Sequence, residues 1–176
     1  MRAARLLQEA AKCSQGARIR LEKGIPVGAG LGGGSSDAAA VLLALNELWG
    51  LDWSRMALMG LGARLGSDVP FFLQGEGCSL ATGRGEKVSP LPSLLGWWVV
   101  VLWPNLSPLP NKTATLYSML TEQDYTDGSM AETAAEMLKA GKLSAGGLYN
   151  AFERVADRAF PGLAIYRRVF QRAGAS

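Results

Sequence analysis

The residues best suited to chemistry form a glycine- and serine-rich run, from Pro26 to Ser36, that leads straight into an alanine-rich segment. Glycine lets the backbone come close to an anion. The N–H groups at the start of a helix point toward that anion, with about half a positive charge from the helix dipole. The run therefore predicts a phosphate-binding loop. Its predicted phosphate contacts are Pro26, Val27, Gly28, Ala29, Gly30, Leu31, Gly32, Gly33, Gly34, Ser35 and Ser36.

Two serines, Ser35 and Ser36, stand where the helix should begin. A serine hydroxyl at that position can cap the helix, or it can bind a phosphate oxygen or a phosphate-bound metal. We predict that both hydroxyls contact phosphate or Mg²⁺. Asp37 follows in the expected first turn, where a carboxylate complements the helix dipole without any part in catalysis. We therefore predict a structural role for Asp37.

The Walker A phosphate loop is one template against which this run can be tested. That loop needs a lysine and then a serine or threonine directly after its last glycine. Here Gly34 follows Gly33, and no lysine lies between Lys23 and Lys87. The spacing excludes a P-loop nucleoside triphosphatase.

The dinucleotide-binding fingerprint is the second template. Its three glycines are matched by Gly28, Gly30 and Gly33, and Asp52 stands near the place of its ribose-binding acid. That fingerprint requires a second strand ending at the acid, whereas residues 47–54 have the pattern of a break between two helices. An NAD-dependent oxidoreductase stays as a weaker alternative.

The third template fits without a gap. The run from Pro26 to Ala40, together with Leu-Gly-Ser-Asp-Val-Pro-Phe-Phe at 65–72, resembles the GHMP kinase superfamily. The resemblance extends over nearly the whole chain. It is strongest to a branch that phosphorylates a hydroxyl of a small molecule carrying a cytidine diphosphate group, in the non-mevalonate route of isoprenoid biosynthesis. It therefore implies a kinase that uses ATP and Mg²⁺.

The same resemblance implies an α+β GHMP kinase fold in two parts. Residues 1–90 correspond to the N-terminal, ATP-binding domain, which resembles domain 2 of ribosomal protein S5. Residues 91–176 correspond to a ferredoxin-like C-terminal domain. Both parts look incomplete, because the family's early lysine, its Gly-Tyr-His motif and its late Gly-Ser-Gly-Pro loop have no counterpart here. We expect a fragment with weak or absent turnover, and an ATP-binding module without efficient turnover remains an alternative, as does a GHMP kinase for another alcohol.

Asp68 is the candidate catalytic residue. It lies on a turn between Gly66, which should end a helix, and Pro70, which should force the next residues to be extended. On that turn we expect the carboxylate to be desolvated by the apolar residues that follow. The resemblance implies that Asp68 is the base that receives the proton of the attacking hydroxyl, with Ser67 in place of the family's usual alanine.

Thr113 and Tyr117 lie in a segment that resembles the family's cytidine-binding region. The resemblance implies that both contact the substrate and that the Tyr117 ring stacks on the cytosine base, an interaction of about 1–3 kcal/mol in proteins that bind single strands. A core tyrosine on a helix is an equally weighted interpretation of Tyr117.

Composition limits the other classes of function. The chain has 176 residues, a net charge of +3 and no histidine. Without histidine, Ser-His-Asp hydrolysis and most zinc chemistry are excluded. Lysine and arginine are scattered, so we predict no nucleic-acid binding. The apolar run 94–103 is too short to cross a membrane, and no signal peptide is apparent, so we expect a cytoplasmic protein that acts on a small molecule.

Hydrophobic periodicity predicts the elements that would hold these residues, with a domain boundary in the Pro- and Ser-rich stretch 89–93. Trp97, Trp98 and Trp103 are predicted to lie in the core, on a strand buried on both faces. The predicted helices are 3–13, 35–49, 54–65 with Ser54 as its cap, 113–120, 130–140, 148–159 and 163–172. The predicted strands are 17–22, 69–73, the hairpin 78–81 and 86–88, and 97–103.

Overall fold

The structure is a computed structural model that describes residues 1–75, 77–104, 106, 109–142, 144 and 148–174. By its internal contacts it divides into two units, Met1–Ser93 and Leu94–Ser176. Helices and strands are both present, which confirms the α+β class. No helix within the described ranges is both long and apolar enough to cross a membrane.

The first unit consists of helices followed by a hairpin. Its elements are α1 (Arg2–Ala10), α2 (Gly33–Leu48), α3 (Arg55–Gly62), α4 (Val69–Gln74), β1 (Cys78–Thr82) and β2 (Lys87–Leu91). The strands pair antiparallel, with Leu80 opposite Ser89. The hairpin and helices α1 to α3 confirm the sequence-based predictions to within a few residues at each end.

Each of the four helices contributes a fully buried leucine to one core. These residues are Leu7, Leu42, Leu58 and Leu73, each at most 1% exposed. Helix α2 packs against α1, α3 and α4. Helix α2 also begins at the predicted phosphate loop. Its packing in the core therefore fixes the helix start that a phosphate would contact.

The prediction of a strand over 69–73 is wrong, because these residues form the helix α4. Pro70 lies in its first turn, where proline is tolerated because that N–H has no intrahelical partner. Gly62 of α3 allows the close approach, since a Cβ there would lie 2.7 Å from Leu73 Cδ1 and 2.8 Å from Val69 Cγ1. The periodicity of this short apolar run does not distinguish a helix from a strand. Packing against α3 therefore decides that the run is helical.

The prediction of a strand over 17–22 is also wrong. These residues belong to no helix or strand, and Ile19 and Leu21 are 39% and 59% exposed. A strand requires a neighbour for its backbone hydrogen bonds. Within the described ranges the only paired strands are β1 and β2, which pair with each other.

The second unit is helical wherever the structure assigns an element to its described residues. Those elements are α5 (Lys112–Met119), a 3₁₀ turn (Glu122–Asp124), α6 (Ser129–Lys139), α7 (Glu153–Ala159) and α8 (Leu163–Arg172). These helices confirm the four predicted ones, although α7 begins five residues later than predicted. In this second unit Val155 is fully buried. It lies on α7, which packs against α5 and α8.

The predicted buried strand over 97–103 is wrong. The segment has no regular secondary structure, and Trp98 is 94% exposed. Trp97 and Trp103 are 46% and 55% exposed, so the tryptophans do not form the predicted core cluster. An apolar β-branched run forms a buried strand only where neighbouring strands pair with its backbone and other elements cover its two faces.

Candidate functional site

The predicted phosphate loop forms a turn-rich segment that ends where α2 begins. Gly32 is the residue before the first helical turn and has the left-handed backbone conformation, with φ at 70°. The following amides, at Gly33, Gly34 and Ser35, belong to the first turn, where N–H groups have no intrahelical acceptor. Ser36 N–H is the first to bond back, to the Gly32 carbonyl at 2.9 Å. The loop thus delivers free donors at a helix start.

The residues that carry these N–H groups line a cavity of about 380 Å³. Its lining residues are Lys23, Pro26, Val27, Gly28, Ala29, Gly30, Leu31, Gly32, Gly33, Gly34, Ser35, Ala38, Leu65 and Val69. The predicted phosphate contacts from Pro26 to Ser35 are therefore brought together around one space. A cavity of this size lies within the range of small-molecule sites.

The two serines of the loop have different positions. Ser36 Oγ donates to the Gly33 carbonyl at 2.9 Å, so its hydroxyl is engaged within the helix. Ser35 lines the cavity. Neither caps α2, because the helix begins earlier than predicted and Gly32 occupies the cap position. Ser35 is the better placed of the two to meet a phosphate or a metal.

Lys23 is a candidate that the sequence analysis did not single out. It lines the cavity, and its ammonium forms an ion pair with the carboxylate of Asp37. Each side chain is 32% exposed. Because α2 begins at Gly33, Asp37 lies just beyond the first turn, and its observed role is this ion pair rather than the predicted first-turn position. The Glu-Lys pattern at 22–23 alone carried no signal, since an adjacent charged pair is typical of any exposed segment.

Asp68 occupies the residue before α4 and makes no side-chain cap hydrogen bond. Its side chain is exposed, so the desolvation expected from the sequence is not observed. The preceding turn faces the hairpin: a Cβ on Gly85 would lie 3.5 Å from Ser67 Cβ and 4.0 Å from Asp68 Oδ1. The next residue, Val69, lines the loop cavity. Asp68 is thus adjacent in sequence to the cavity wall and is open to an incoming molecule.

The hairpin turn beside Asp68 is held by a carboxylate. Glu86 Oε2 accepts the Arg84 N–H at 2.8 Å. Backbone hydrogen bonds to the Glu86 carboxylate, from its own and the Arg84 amide, lower the pKa of Glu86 below its ordinary value. At neutral pH Glu86 is ionised and can accept these hydrogen bonds.

Thr113 and Tyr117 both lie on α5 in the second unit, four residues apart and therefore on one face of the helix. Both are exposed, with Tyr117 at 55%. The rings of Tyr117 and Phe152 form a T-shaped pair, with 5.1 Å between centroids and an angle of 84°. The interpretation of Tyr117 as a core tyrosine is therefore wrong, and a ring surface is left open.

The dinucleotide alternative loses its structural basis. Asp52 follows the helix α2 rather than a strand, and it has a left-handed backbone with φ at 53°. A dinucleotide fold requires a strand to carry this acid to the ribose.

Alanine in place of Gly32 should disturb this loop. Its Cβ would lie 2.6 Å from Phe72 Cζ, and the left-handed backbone at this position is strained for any residue with a Cβ. We expect a loss of about 1–3 kcal/mol in the free energy of unfolding and weaker nucleotide binding. Urea unfolding and calorimetric titration with ATP would measure both quantities.

The matched control is Gly34→Ala. A Cβ on Gly34 meets nothing within 4 Å, and alanine is the better helix former. This variant should be at least as stable as the unmodified chain. Equal free energies of unfolding for Gly32→Ala and Gly34→Ala would contradict the assigned loop conformation.

Comparison with known proteins agrees with this geometry. Residues 1–76 match the family model described as GHMP kinases N terminal domain. The 4-diphosphocytidyl-2-C-methyl-D-erythritol kinase of Dehalococcoides mccartyi is 48% identical over 166 residues, which are 93% of this chain and 58% of that protein. The protein of the same name from Symbiobacterium thermophilum is 44% identical over 177 residues, covering 99% and 61%.

A solved structure is also similar. A crystal structure of 4-(cytidine 5'-diphospho)-2C-methyl-D-erythritol kinase superimposes with a TM-score of 0.70 and 39% identity, over 98% of this chain and 61% of that one. The chain therefore spans about three fifths of the length of these relatives. The family match shows that residues 1–76 form a GHMP kinase N-terminal domain, and the chain as a whole is similar in sequence and fold to these kinases.

Proposed function

We propose that this chain provides the phosphate-binding region of an ATP-dependent kinase that phosphorylates a hydroxyl of 4-diphosphocytidyl-2-C-methyl-D-erythritol, in the non-mevalonate route to isoprenoids. The observation that carries the proposal is the loop at 26–34, which lines a cavity of about 380 Å³ together with the start of α2. The names of the relatives support the choice of acceptor. The proposed place of action is the cytoplasm, where ATP is available.

The phosphates of ATP would be bound by the first-turn amides of α2 and by the Ser35 hydroxyl. These donors suit an anion because the helix dipole adds positive charge at the same point. Within the described ranges no cluster of three or more acidic, cysteine or histidine side chains is placed to hold a metal. That fits Mg²⁺, which commonly takes one or two protein ligands and completes its shell with water and phosphate oxygens. Ser35, with Ser36 as the second candidate, would meet a Mg²⁺ ion that offsets phosphate charge.

The chemical step would depend on Asp68. The acceptor hydroxyl oxygen forms a bond to the γ-phosphorus while the bond from that phosphorus to the bridging oxygen breaks, releasing ADP. The Asp68 carboxylate accepts the hydroxyl proton as the new bond forms. Its exposure leaves it accessible to the acceptor.

Recognition of the cytidine group would depend on α5. The open surface of the Tyr117 ring suits stacking on a flat base, and its contact with Phe152 holds the ring in place. Thr113, one turn earlier on the same face, would donate or accept a hydrogen bond.

Ligand-dependent stability tests this proposal. ATP with Mg²⁺ should raise the free energy of unfolding, by about 2.7 kcal/mol when its concentration is 100 times the dissociation constant, whereas NAD should not. Thermal unfolding with each nucleotide measures the effect. Protection by NAD and none by ATP would overturn the assignment.

The acceptor is tested by substrate choice. Formation of the phosphorylated product, followed by ³¹P NMR, should require the cytidine diphosphate group on the alcohol. Equal turnover of alcohols that lack this group would favour a GHMP kinase with another substrate. ATP binding without any turnover would favour a nucleotide-binding module.

A further inference from the structure

One ion pair joins the two sides of the phosphate loop. Lys23 precedes the loop and Asp37 lies 14 residues later, in α2, yet the ammonium of the first meets the carboxylate of the second. The geometry points to a clasp: Lys23 and Asp37 are positioning residues that tie the loop's ends together and hold its amides ready for a phosphate. This role rests on the proposed function, because it assigns a purpose to the same loop.

The segment before the loop approaches the helix closely at a second point. A Cβ on Gly33 would lie 3.1 Å from Ile25 Cγ2 and 3.6 Å from Lys23 Nζ. Gly33 is the first residue of α2. The segment before the loop therefore lies against the helix at two points, the ion pair at Asp37 and the close approach of Ile25 to Gly33.

A loop of this composition needs such a constraint. Glycine has more backbone freedom to lose than any other residue, and the segment between Lys23 and Gly33 has no helix or strand of its own. Joining the ends of a flexible segment reduces the number of conformations that it can adopt. A phosphate then meets amides that are already in place, and less conformational entropy is lost on binding.

The charge balance favours this positioning role over direct phosphate binding by Lys23. Asp37 offsets the charge of the Lys23 ammonium, so Lys23 presents less net positive charge to a phosphate than an unpaired lysine would. Each side chain of the pair is about one third exposed, so solvent screens it less than a fully exposed pair. The exposed pair Arg20–Glu22, with side chains 86% and 73% exposed, provides a nearby contrast.

Charge reversal separates the two roles. The variants are Lys23→Met, Asp37→Asn and the double variant with Lys23→Asp and Asp37→Lys, with Glu22→Gln as the control. Two measurements are made on each full chain: ¹⁵N backbone order parameters of residues 27–34 without nucleotide, and the dissociation constant for ATP with Mg²⁺. Circular dichroism checks that each variant is folded.

If the clasp orders the loop, both single variants should lower the order parameters from the rigid range, about 0.85, toward the flexible range below about 0.6. Both should also weaken ATP binding about threefold to tenfold. The double variant restores an ion pair of opposite orientation, so it should recover most of the order, although its carboxylate at position 23 lines the cavity and would repel phosphate. Glu22→Gln should change neither.

Three results would overturn the clasp. The first is unchanged order parameters in both single variants, and the second is no recovery of the order parameters in the double variant. The third is a Lys23→Met variant that binds ATP more weakly but keeps its order parameters. The last result would show that Lys23 binds the nucleotide directly. Failure of the proposed function looks different: the order parameters would respond as expected, but the unmodified chain would not bind ATP.

Discussion

Asparagine in place of Asp68 should lower the rate of phosphoryl transfer by about 100-fold or more, because a positioned general base contributes about 10²–10⁴-fold to such a step. Asparagine has the same shape as aspartate but accepts no proton. The Asp68 side chain is exposed and makes no cap hydrogen bond, so the fold should be unaffected. We also expect the ATP dissociation constant to stay within about twofold.

Product should be measured by ³¹P NMR after long incubation at high protein concentration, so that a slow rate is still detected. Asp52→Asn is the matched control, since Asp52 is an exposed aspartate of the same unit with a left-handed backbone that asparagine also tolerates. The control should keep the full rate. A rate that is equal in the Asp68 variant and the unmodified chain would mean that Asp68 is not the base.

Alanine in place of Leu42 should lower the free energy of unfolding by about 2–5 kcal/mol. Leu42 is fully buried in the core to which α1, α2, α3 and α4 each contribute a leucine. Truncation removes apolar surface and leaves a cavity where close-packed neighbours collapse only in part. The Leu42→Ala variant should therefore have a lower melting temperature without ATP. Because α2 begins at the predicted phosphate loop, any rise caused by ATP should start from that lower value.

Leu48→Ala provides the comparison on the same helix. Leu48 is 64% exposed, so its truncation should change stability by no more than about 0.5 kcal/mol. Urea unfolding of both variants, followed by circular dichroism, measures the difference. Equal losses in the two variants would contradict the placement of α2, because they would mean that its two faces are equally buried.

The turn-rich glycine loop and the helix after it were predictable because their signals are local. Loop flexibility depends on the glycines themselves, and the apolar run after Asp37 has the length and composition of a helix. The start of α3 was predictable for the same reason, since Ser54 Oγ accepts the Ala57 N–H at 3.2 Å. Cap bonds of this kind join residues within one turn, so the amino-acid order alone indicates them.

Two of the three incorrect strands share one physical cause. A strand is completed by hydrogen bonds to another part of the chain, and neither alternation at 17–22 nor an apolar run at 97–103 specifies that partner. For 69–73, contact with Gly62 decided the outcome: the missing side chain opens space for a helix against α3.

By itself, therefore, the sequence determined the match of residues 1–76 to GHMP kinases, the glycine-rich loop before α2 and the helices whose signals lie within one or two turns. Only the tertiary structure decided the form of 69–73, the exposure of Asp68 and the pairing of Lys23 with Asp37. The physical reason is the range of the interactions involved. Caps and amphipathic faces involve near neighbours, whereas burial and ion pairs between distant residues depend on how whole elements pack together.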